Sequence, residues 1–253
     1  MRLLISSLIA LCVTAWAAPV VQGTSFELPL VRDLSRASSH GPPSHDLTLW
    51  VDKKNLKFKV RKNEEQGEHG VVYKVVAGKY KGGYAKALIS EQEIQATAAV
   101  GALWLKGSDH HNDKWIIVKP SPGKRFNQTS AYAHVRHNPQ QCWELLEHAI
   151  DVATNTILHT YRNTHWLHQH PTLSNVLFND QASRAYLIDW GCASKPPHVH
   201  IPDVRAHGAY TMSQSGHSLC GARPATAHPP VMHAPTYHCP APAHGAVALQ
   251  PWH

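Results

Sequence analysis

Few residues of this sequence are charged, and the charge is spread along the chain except for short dense clusters such as VDKKNLKFKVRK at 51–62. Of the 253 residues, 16% are charged and 43% are hydrophobic, which is ordinary for a globular protein with a buried core. The formal net charge is +7, so anions would be attracted to the chain. No recognised nucleic-acid-binding module accompanies that charge, and we therefore expect no nucleic-acid partner.

Long apolar runs are also lacking, except for one at the N-terminus. Arg2 precedes an apolar run over residues 3–13, and small residues follow at Ala15 and Ala17. This pattern is typical of a signal peptide, which we place at residues 1–17. The run is too short to span a bilayer comfortably. We expect a secreted or secretory-pathway protein with no stable membrane span.

Cysteine is scarce and widely spaced. Five cysteines are present, and one of them, Cys12, falls within the predicted signal peptide. The absence of a C-x-x-C pattern argues against a cysteine-based metal site, and an oxidising compartment would permit two disulfides. The remaining cysteines are Cys142, Cys192, Cys220 and Cys239. The spacing leaves their pairing open. Asn127, Gln128 and Thr129 form a sequon that could accept an N-linked glycan.

Periodicity predicts an α+β protein in which strands come first. Alternating β-branched and aromatic residues predict strands at 47–51, 56–60, 70–78, 83–90 and 114–119. Apolar residues at three- and four-residue steps predict helices over 91–105 and 139–161. Asn138 is a favourable N-cap for the second helix, and Pro139 suits its first position. The apolar runs 175–178 and 185–189 predict a hairpin.

Both ends of the mature chain lack this periodicity. Residues 18–46 are polar and rich in turn formers, so we expect a disordered leader. Residues 192–253 contain nine of the 21 histidines and ten of the 18 prolines. Such a segment would bury too little apolar surface to offset its ordering entropy. We predict a disordered tail over 193–253, or a C-terminus that is not the natural one.

Several polar residues between these ends have the chemistry of a phosphate site. Gly67 and Gly70 lie in a turn between predicted strands, where backbone N–H groups can approach a phosphate. Lys86 lies in an apolar strand and needs a partner there, which Glu93 could supply from the next helix. Asn175 and Asp189 bracket the hairpin and offer the hard oxygen ligands that suit magnesium.

These motifs, in their order along the chain, resemble those of the protein-kinase-like superfamily, and within it those of the secreted fungal kinase-like proteins. GEHGVVYKV resembles the second half of the Gly-rich loop, with Gly67, Gly70 and Val72 matched. YAKA resembles V-A-I-K and DWG resembles D-F-G, while HQHPTLSN lies over the catalytic-loop pattern. The match covers about residues 50–192. It implies a two-lobe fold at 47–192, with a strand-rich N-lobe and a truncated helical C-lobe.

The resemblance also implies a role for each matched residue. Lys86 would pair with the phosphates of ATP and Glu93 would hold it, while Asn175 and Asp189 would bind Mg²⁺. His168 matches the conserved histidine of the catalytic loop. His170 stands where the family has the catalytic aspartate, which orients the acceptor hydroxyl and receives its proton.

We therefore expect a pseudokinase-like protein that binds a nucleotide and is related to phosphotransferases. Its catalysis should be weak or absent, and its acceptor would be a protein or a small molecule that the sequence does not identify. Loss of a general base typically costs about 10²–10⁴-fold in rate. An active kinase is one alternative, because a neutral imidazole can also accept a proton.

A secreted, His-rich metal-binding or interaction protein is the other alternative. Zinc usually requires three or four converging ligands. Two clusters offer suitable side chains. The first is His165, His168 and His170, and the second is Asp109, His110 and Asp113.

Overall fold

The computed structural model describes residues 44–63 and 71–223 of the chain. The predicted signal peptide, most of the predicted leader, Gly67 and Gly70 lie outside these residues. Ten strands and five α-helices follow one another within them. In chain order they are β1 (Ser44–Val51), β2 (Lys54–Lys62), β3 (Val72–Val75), β4 (Tyr84–Ala87), α1 (Glu91–Ala99), β5 (Leu103–Ser108), β6 (Lys114–Val118), α2 (Ser130–Val135), α3 (Pro139–Thr164), β7 (Leu167–His168), β8 (Val176–Phe178), β9 (Ala185–Leu187), β10 (Ala193–Ser194), α4 (Ile201–Ser213) and α5 (Gly216–Cys220).

The first six strands form a closed antiparallel barrel in the order β1-β2-β3-β4-β6-β5. Alternate residues of each strand face its interior, because side chains in a strand point in turn to opposite faces. The interior is apolar, and its most buried members are Leu49, Phe58, Val60, Val75, Ala85 and Ile117. Strands β1 and β2 are joined by Asp52 and Lys53, both at positive φ, as a tight hairpin turn requires.

The predicted two-lobe kinase-like fold is wrong. The described strands close into a barrel, because β1 pairs with β2 on one side and with β5 on the other. Trp50 pairs with Ser108 at the closure. The fold is a mixed α+β fold with a barrel, so the α+β class is right and the architecture assigned from the resemblance is not. Strand periodicity shows which face of a strand is buried, but not which strand lies beside it.

Helix α1 is shorter than predicted. Ser90 caps it by accepting a hydrogen bond from the Glu93 N–H at 3.0 Å, as capping residues commonly do. The helix ends at Ala99, and Gly101 follows with φ of +71°, a conformation that glycine adopts without strain. The apolar residues after that turn belong to β5, so the helix predicted over 91–105 is in fact a helix and a strand.

Helix α3 forms as predicted and organises the rest of the described chain. It runs over Pro139–Thr164 with Asn138 as N-cap, whose side chain accepts from the Gln141 N–H. Its apolar stripe packs against the predicted hairpin, which forms from β8 and β9. The shared core is fully apolar, and its largest members are Phe126, Trp143, Leu146, Phe178 and Met212.

Two helices occupy part of the segment predicted to be a disordered tail. Helix α4 buries Val204, Gly208 and Met212, and packs on α3. The next helix, α5, carries Cys220, which forms a disulfide with Cys142 of α3. The prediction of disorder is therefore wrong for these helices, because α3 supplies an apolar surface that the tail lacks. Residues 224–253 lie outside the described part of the chain.

No described helix is long and apolar enough to cross a membrane.

Candidate functional site

Lys86 lies at the centre of a buried ion-pair triad. Its Nζ is 2.8 Å from Glu93 Oε1 and 2.7 Å from Asp189 Oδ1. Strand β4 carries the lysine, α1 carries the glutamate, and the segment after β9 carries the aspartate. The predicted Lys86–Glu93 ion pair is therefore present. Asp189 completes it from 103 residues away in the sequence.

The two carboxylates compensate the positive charge of the buried Lys86 side chain. The Lys86 side chain is only 11% exposed, and burial alone would lower its pKa, but the two carboxylates raise it above its ordinary value. For Asp189, burial alone would raise the pKa, but attraction and hydrogen bonding from Lys86 lower it below its ordinary value. Lys86 and Asp189 are therefore both charged at neutral pH.

Backbone geometry aims Asp189 at the lysine. Asp189 has φ of +58°, an uncommon conformation for a residue with a side chain, and its Oδ1 also accepts from the Gly191 N–H at 3.4 Å. Gly191 leaves room for this arrangement. A Cβ there would lie 3.2 Å from Glu93 Oε2 and 3.3 Å from Asp189 Oδ1, so a larger residue would crowd both carboxylates.

Asn175 reaches the same region from the start of the β8–β9 hairpin. Its backbone carbonyl accepts from the Ile188 N–H at 3.0 Å, which joins the Asn175 and Asp189 segments. Its side-chain Nδ2 donates to the His170 carbonyl at 3.1 Å and lies 3.3 Å from His170 Nδ1. The Asn175 side chain is therefore oriented by the turn that carries His170.

The two predicted catalytic histidines differ in position. His168 is 3% exposed, and its Nε2 lies 2.9 Å from the Ile188 carbonyl, directly before Asp189. Burial lowers the pKa of this imidazole, which keeps it neutral. It supports the Asp189 segment and does not line the cleft described below. His170 is half-buried beside Asn175 and also lies outside the lining of that cleft.

These groups face a cleft of about 620 Å³. It is lined by five of the residues singled out in the sequence, namely Val72, Lys86, Glu93, Asn175 and Asp189. Apolar side chains also form part of the wall of this cleft. They include Val72, Ile116, Val118 and Leu187. Val72 pairs with Lys86 across β3 and β4.

One part of the cleft was not singled out for binding. The connection after β6, residues 119–125, lines it with three cationic residues, Lys119, Lys124 and Arg125. Lys124 is held by Asp180 at 2.7 Å, and the Arg125 guanidinium donates to the Ser174 carbonyl at 2.8 Å. The two prolines and the glycine of PSPG at 120–123 are typical of a turn, but such a pattern does not show what the turn faces.

Helix α4 supplies further support that the sequence did not indicate. His207 Nε2 lies 2.9 Å from the Gln169 carbonyl, and the Thr211 hydroxyl donates to the Pro171 carbonyl at 3.2 Å. Both therefore brace the turn around His170. Their four-residue spacing places them on one helix face, a signal that is visible only once the segment is known to be helical.

Within residues 44–63 and 71–223, no group of three or more His, Cys, Asp or Glu side chains is arranged to hold a metal ion. The two histidine-containing metal sites considered above therefore do not form there. His165 is exposed at the end of α3, and Asp109 accepts from the Trp115 indole at 3.1 Å. Asn175 and Asp189 remain a pair of oxygen ligands facing open volume.

No protein-family model matches the chain, and no curated protein sequence matches it.

Proposed function

We propose that the cleft binds the phosphates of a nucleotide together with Mg²⁺, and that ATP is the nucleotide. The observation that carries this proposal is Lys86, a charged lysine held by two carboxylates at the wall of an open cleft. A buried charge is tolerated only when it is paired. Two carboxylates around one ammonium leave an excess of negative charge, so the proposal requires Mg²⁺ to enter together with the phosphates. The motif resemblance to protein-kinase-like proteins supports the same ligand.

Each residue has a distinct part in this proposal. Lys86 pairs with the phosphates, and Glu93 keeps the lysine in place when Asp189 turns to the metal. Asp189 and Asn175 contribute oxygen atoms to Mg²⁺, which retains waters and phosphate oxygens as its other ligands. The apolar wall at Val72 and Val118 suits the face of a base.

Transfer of the phosphoryl group is expected to be weak or absent. His170 has no carboxylate with which to orient an acceptor hydroxyl, and its Nδ1 faces the Asn175 amide instead of the cleft. The chain is then a nucleotide-binding relative of phosphotransferases, and its phosphoryl acceptor stays open. The His-rich metal-binding alternative has no supporting cluster among the described residues.

Thermal unfolding of the full chain tests nucleotide binding. Mg-ATP at about a hundred times its dissociation constant stabilises the folded state by about 2.7 kcal/mol, which raises the melting temperature by about 5–10 °C. Lys86→Ala should abolish that shift, whereas the exposed Lys106→Ala should keep it. A parent protein whose melting temperature does not change at millimolar Mg-ATP would refute the proposal.

The variant His170→Asp tests whether the missing carboxylate is what limits phosphoryl transfer. Radiolabelled ATP hydrolysis by the parent should be close to the uncatalysed rate, and the restored carboxylate should raise it by about 10² or more. Equal, substantial turnover by parent and variant would instead favour an active enzyme that does not need a carboxylate at this position.

A further inference from the structure

The outer face of the β1–β2 hairpin carries a straight row of cations. Lys57, Lys59 and Arg61 are all exposed and point away from the barrel, since their neighbours Phe58 and Val60 point inward. Alternate residues of a strand are about 7 Å apart, so the row extends about 13 Å. Lys74 pairs with Arg61 across β3 and continues it.

These cations are not neutralised by the described part of the molecule. Across residues 44–63 and 71–223, no ion pair or side-chain hydrogen bond involves Lys57, Lys59 or Arg61. The facing residues of β1 are mostly neutral: Ser44 pairs with Arg61 and Thr48 with Lys57. Asp46, opposite Lys59, is the single acid of that strand on this face. On β1 and β2 this face therefore carries three cations of the row and one acid, an excess of positive charge.

An exposed tryptophan ends the row. Trp50 is 51% exposed and points outward on the same face, where it pairs with Asn55. It borders a recess of about 360 Å³, which is otherwise polar. The other lining residues are Thr48, Asn55, Ser108, Asp109, His110 and Asn112. A large aromatic surface left in water beside hydrogen-bonding groups is characteristic of a recognition site.

Backbone pairing and hydrogen bonds hold two sides of the recess. The Trp50 backbone is held at the closure of the barrel by its pairing with Ser108. On the opposite rim, Asp109 Oδ1 accepts from the N–H groups of His111 and Asp113 at 2.9 and 3.0 Å. A rigid rim reduces the entropy lost on binding.

We propose that this face binds an acidic polysaccharide. One sugar ring lies on Trp50, with its hydroxyls bonded to Thr48, Asn55 and the Asp109 rim. The sulfate or carboxylate groups of the following sugars meet Lys57, Lys59 and Arg61. The surface is separate from the nucleotide cleft, with which it shares no lining residue.

The chemistry of the face favours a sugar polymer over a nucleic acid. Nucleic-acid grooves stack successive bases on several aromatic side chains. Here Trp50 is the aromatic residue exposed on the described outer face of β1 and β2. The carboxylates of Asp46 and Asp109 can accept hydrogen bonds from sugar hydroxyls, which are the more numerous polar groups of a polysaccharide. A secreted chain, as its N-terminus indicates, would also meet such polymers outside the cell.

Titration of the full chain with a heparin dodecasaccharide tests this proposal. The affinity should fall steeply with salt, because binding releases counterions. Lys57→Gln/Lys59→Gln/Arg61→Gln should lower the affinity at least tenfold and reduce the slope of log K against log salt by about two to three. Trp50→Ala should lower the affinity several-fold and leave that slope unchanged, since it removes stacking and no charge.

A matched triple variant controls for net charge. Arg136→Gln/Arg162→Gln/Arg184→Gln removes the same charge from exposed positions of the helical half and should bind heparin like the parent. Lys86→Ala should also bind normally, which separates this face from the nucleotide cleft. Equal losses in both triple variants, or no heparin binding by the parent at low salt, would overturn the proposal. So would displacement of heparin by single-stranded oligo(dT) at lower concentration, which would identify a nucleic-acid surface.

Discussion

Lys86 is the residue on which the proposed nucleotide site depends. Its strand is apolar, so the sequence indicates that the lysine needs a partner, and Glu93 lies close enough in the chain to be named. Asp189 is 103 residues away, and its contact with Lys86 arises only when the segment after β9, residues 190–194, packs against α1. The residue types of the site were therefore predictable, and the three-way pairing was not.

A buried histidine makes the stability of the protein depend on pH. Burial lowers the pKa of His168 below its ordinary value, so the folded state favours the neutral imidazole. In the unfolded chain this group titrates near pH 6.5. Its contribution to stability is thus fully present above about pH 6.5 and is lost as the pH falls towards the lower pKa of the folded state.

We therefore expect the free energy of unfolding to fall between pH 7.5 and pH 5.0, measured with urea. His168→Gln keeps a donor for the Ile188 carbonyl but does not titrate, so it should lose less stability over the same range. Parallel pH profiles for parent and variant would show that His168 does not supply this dependence.

At the level of secondary-structure elements, the N-caps and apolar faces of α1 and α3 follow from local sequence, whereas the formation of α4 depends on its packing against α3. Helix α4 contains a proline and a glycine, and its apolar residues are not confined to one face, because Val204 and Met212 are buried while Ile201 and Tyr210 are exposed. It forms against α3, where Gly208 allows close approach: a Cβ there would lie 2.8 Å from Thr154 Oγ1. Helix α4 then braces the His170 turn through His207 and Thr211.

Gly208→Ala tests this packing. The added methyl group overfills the contact, and we expect the free energy of unfolding to fall by about 1–3 kcal/mol. Thr154→Ala removes the hydroxyl that the new Cβ would meet, so the double variant should recover much of the loss. Chemical denaturation of the four proteins gives the coupling energy. Additive effects would mean that the two residues are not in contact.

On the scale of the whole molecule, the disulfide between Cys142 and Cys220 joins the end of the described chain to α3. It encloses the β8–β9 hairpin, the Asp189 segment and α4 within one covalent loop. The two cysteines are 78 residues apart, so the link removes much freedom from the unfolded chain. The disulfide therefore supports the proposed site without touching it.

Replacement of both cysteines by alanine should lower the free energy of unfolding by about 2–5 kcal/mol. Guanidinium denaturation of the oxidised parent and the double variant measures the difference. The Mg-ATP thermal shift should persist in the variant where it remains folded, because neither cysteine lines the cleft. A difference below about 0.5 kcal/mol would show that the link contributes little.

The sequence by itself determined the features that depend on neighbouring residues. It indicated the buried faces of most strands, the start of α3 at Asn138, the β8–β9 hairpin and the pairing of Lys86 with Glu93, because each follows from local propensity or short spacing. The tertiary structure decided the closure of the barrel, the helical state of α4 and the contact between Lys86 and Asp189. These features depend on which surfaces pack together between segments that are far apart in the sequence. Hydrophobic periodicity identifies the buried face of a segment but not the segment that packs against it.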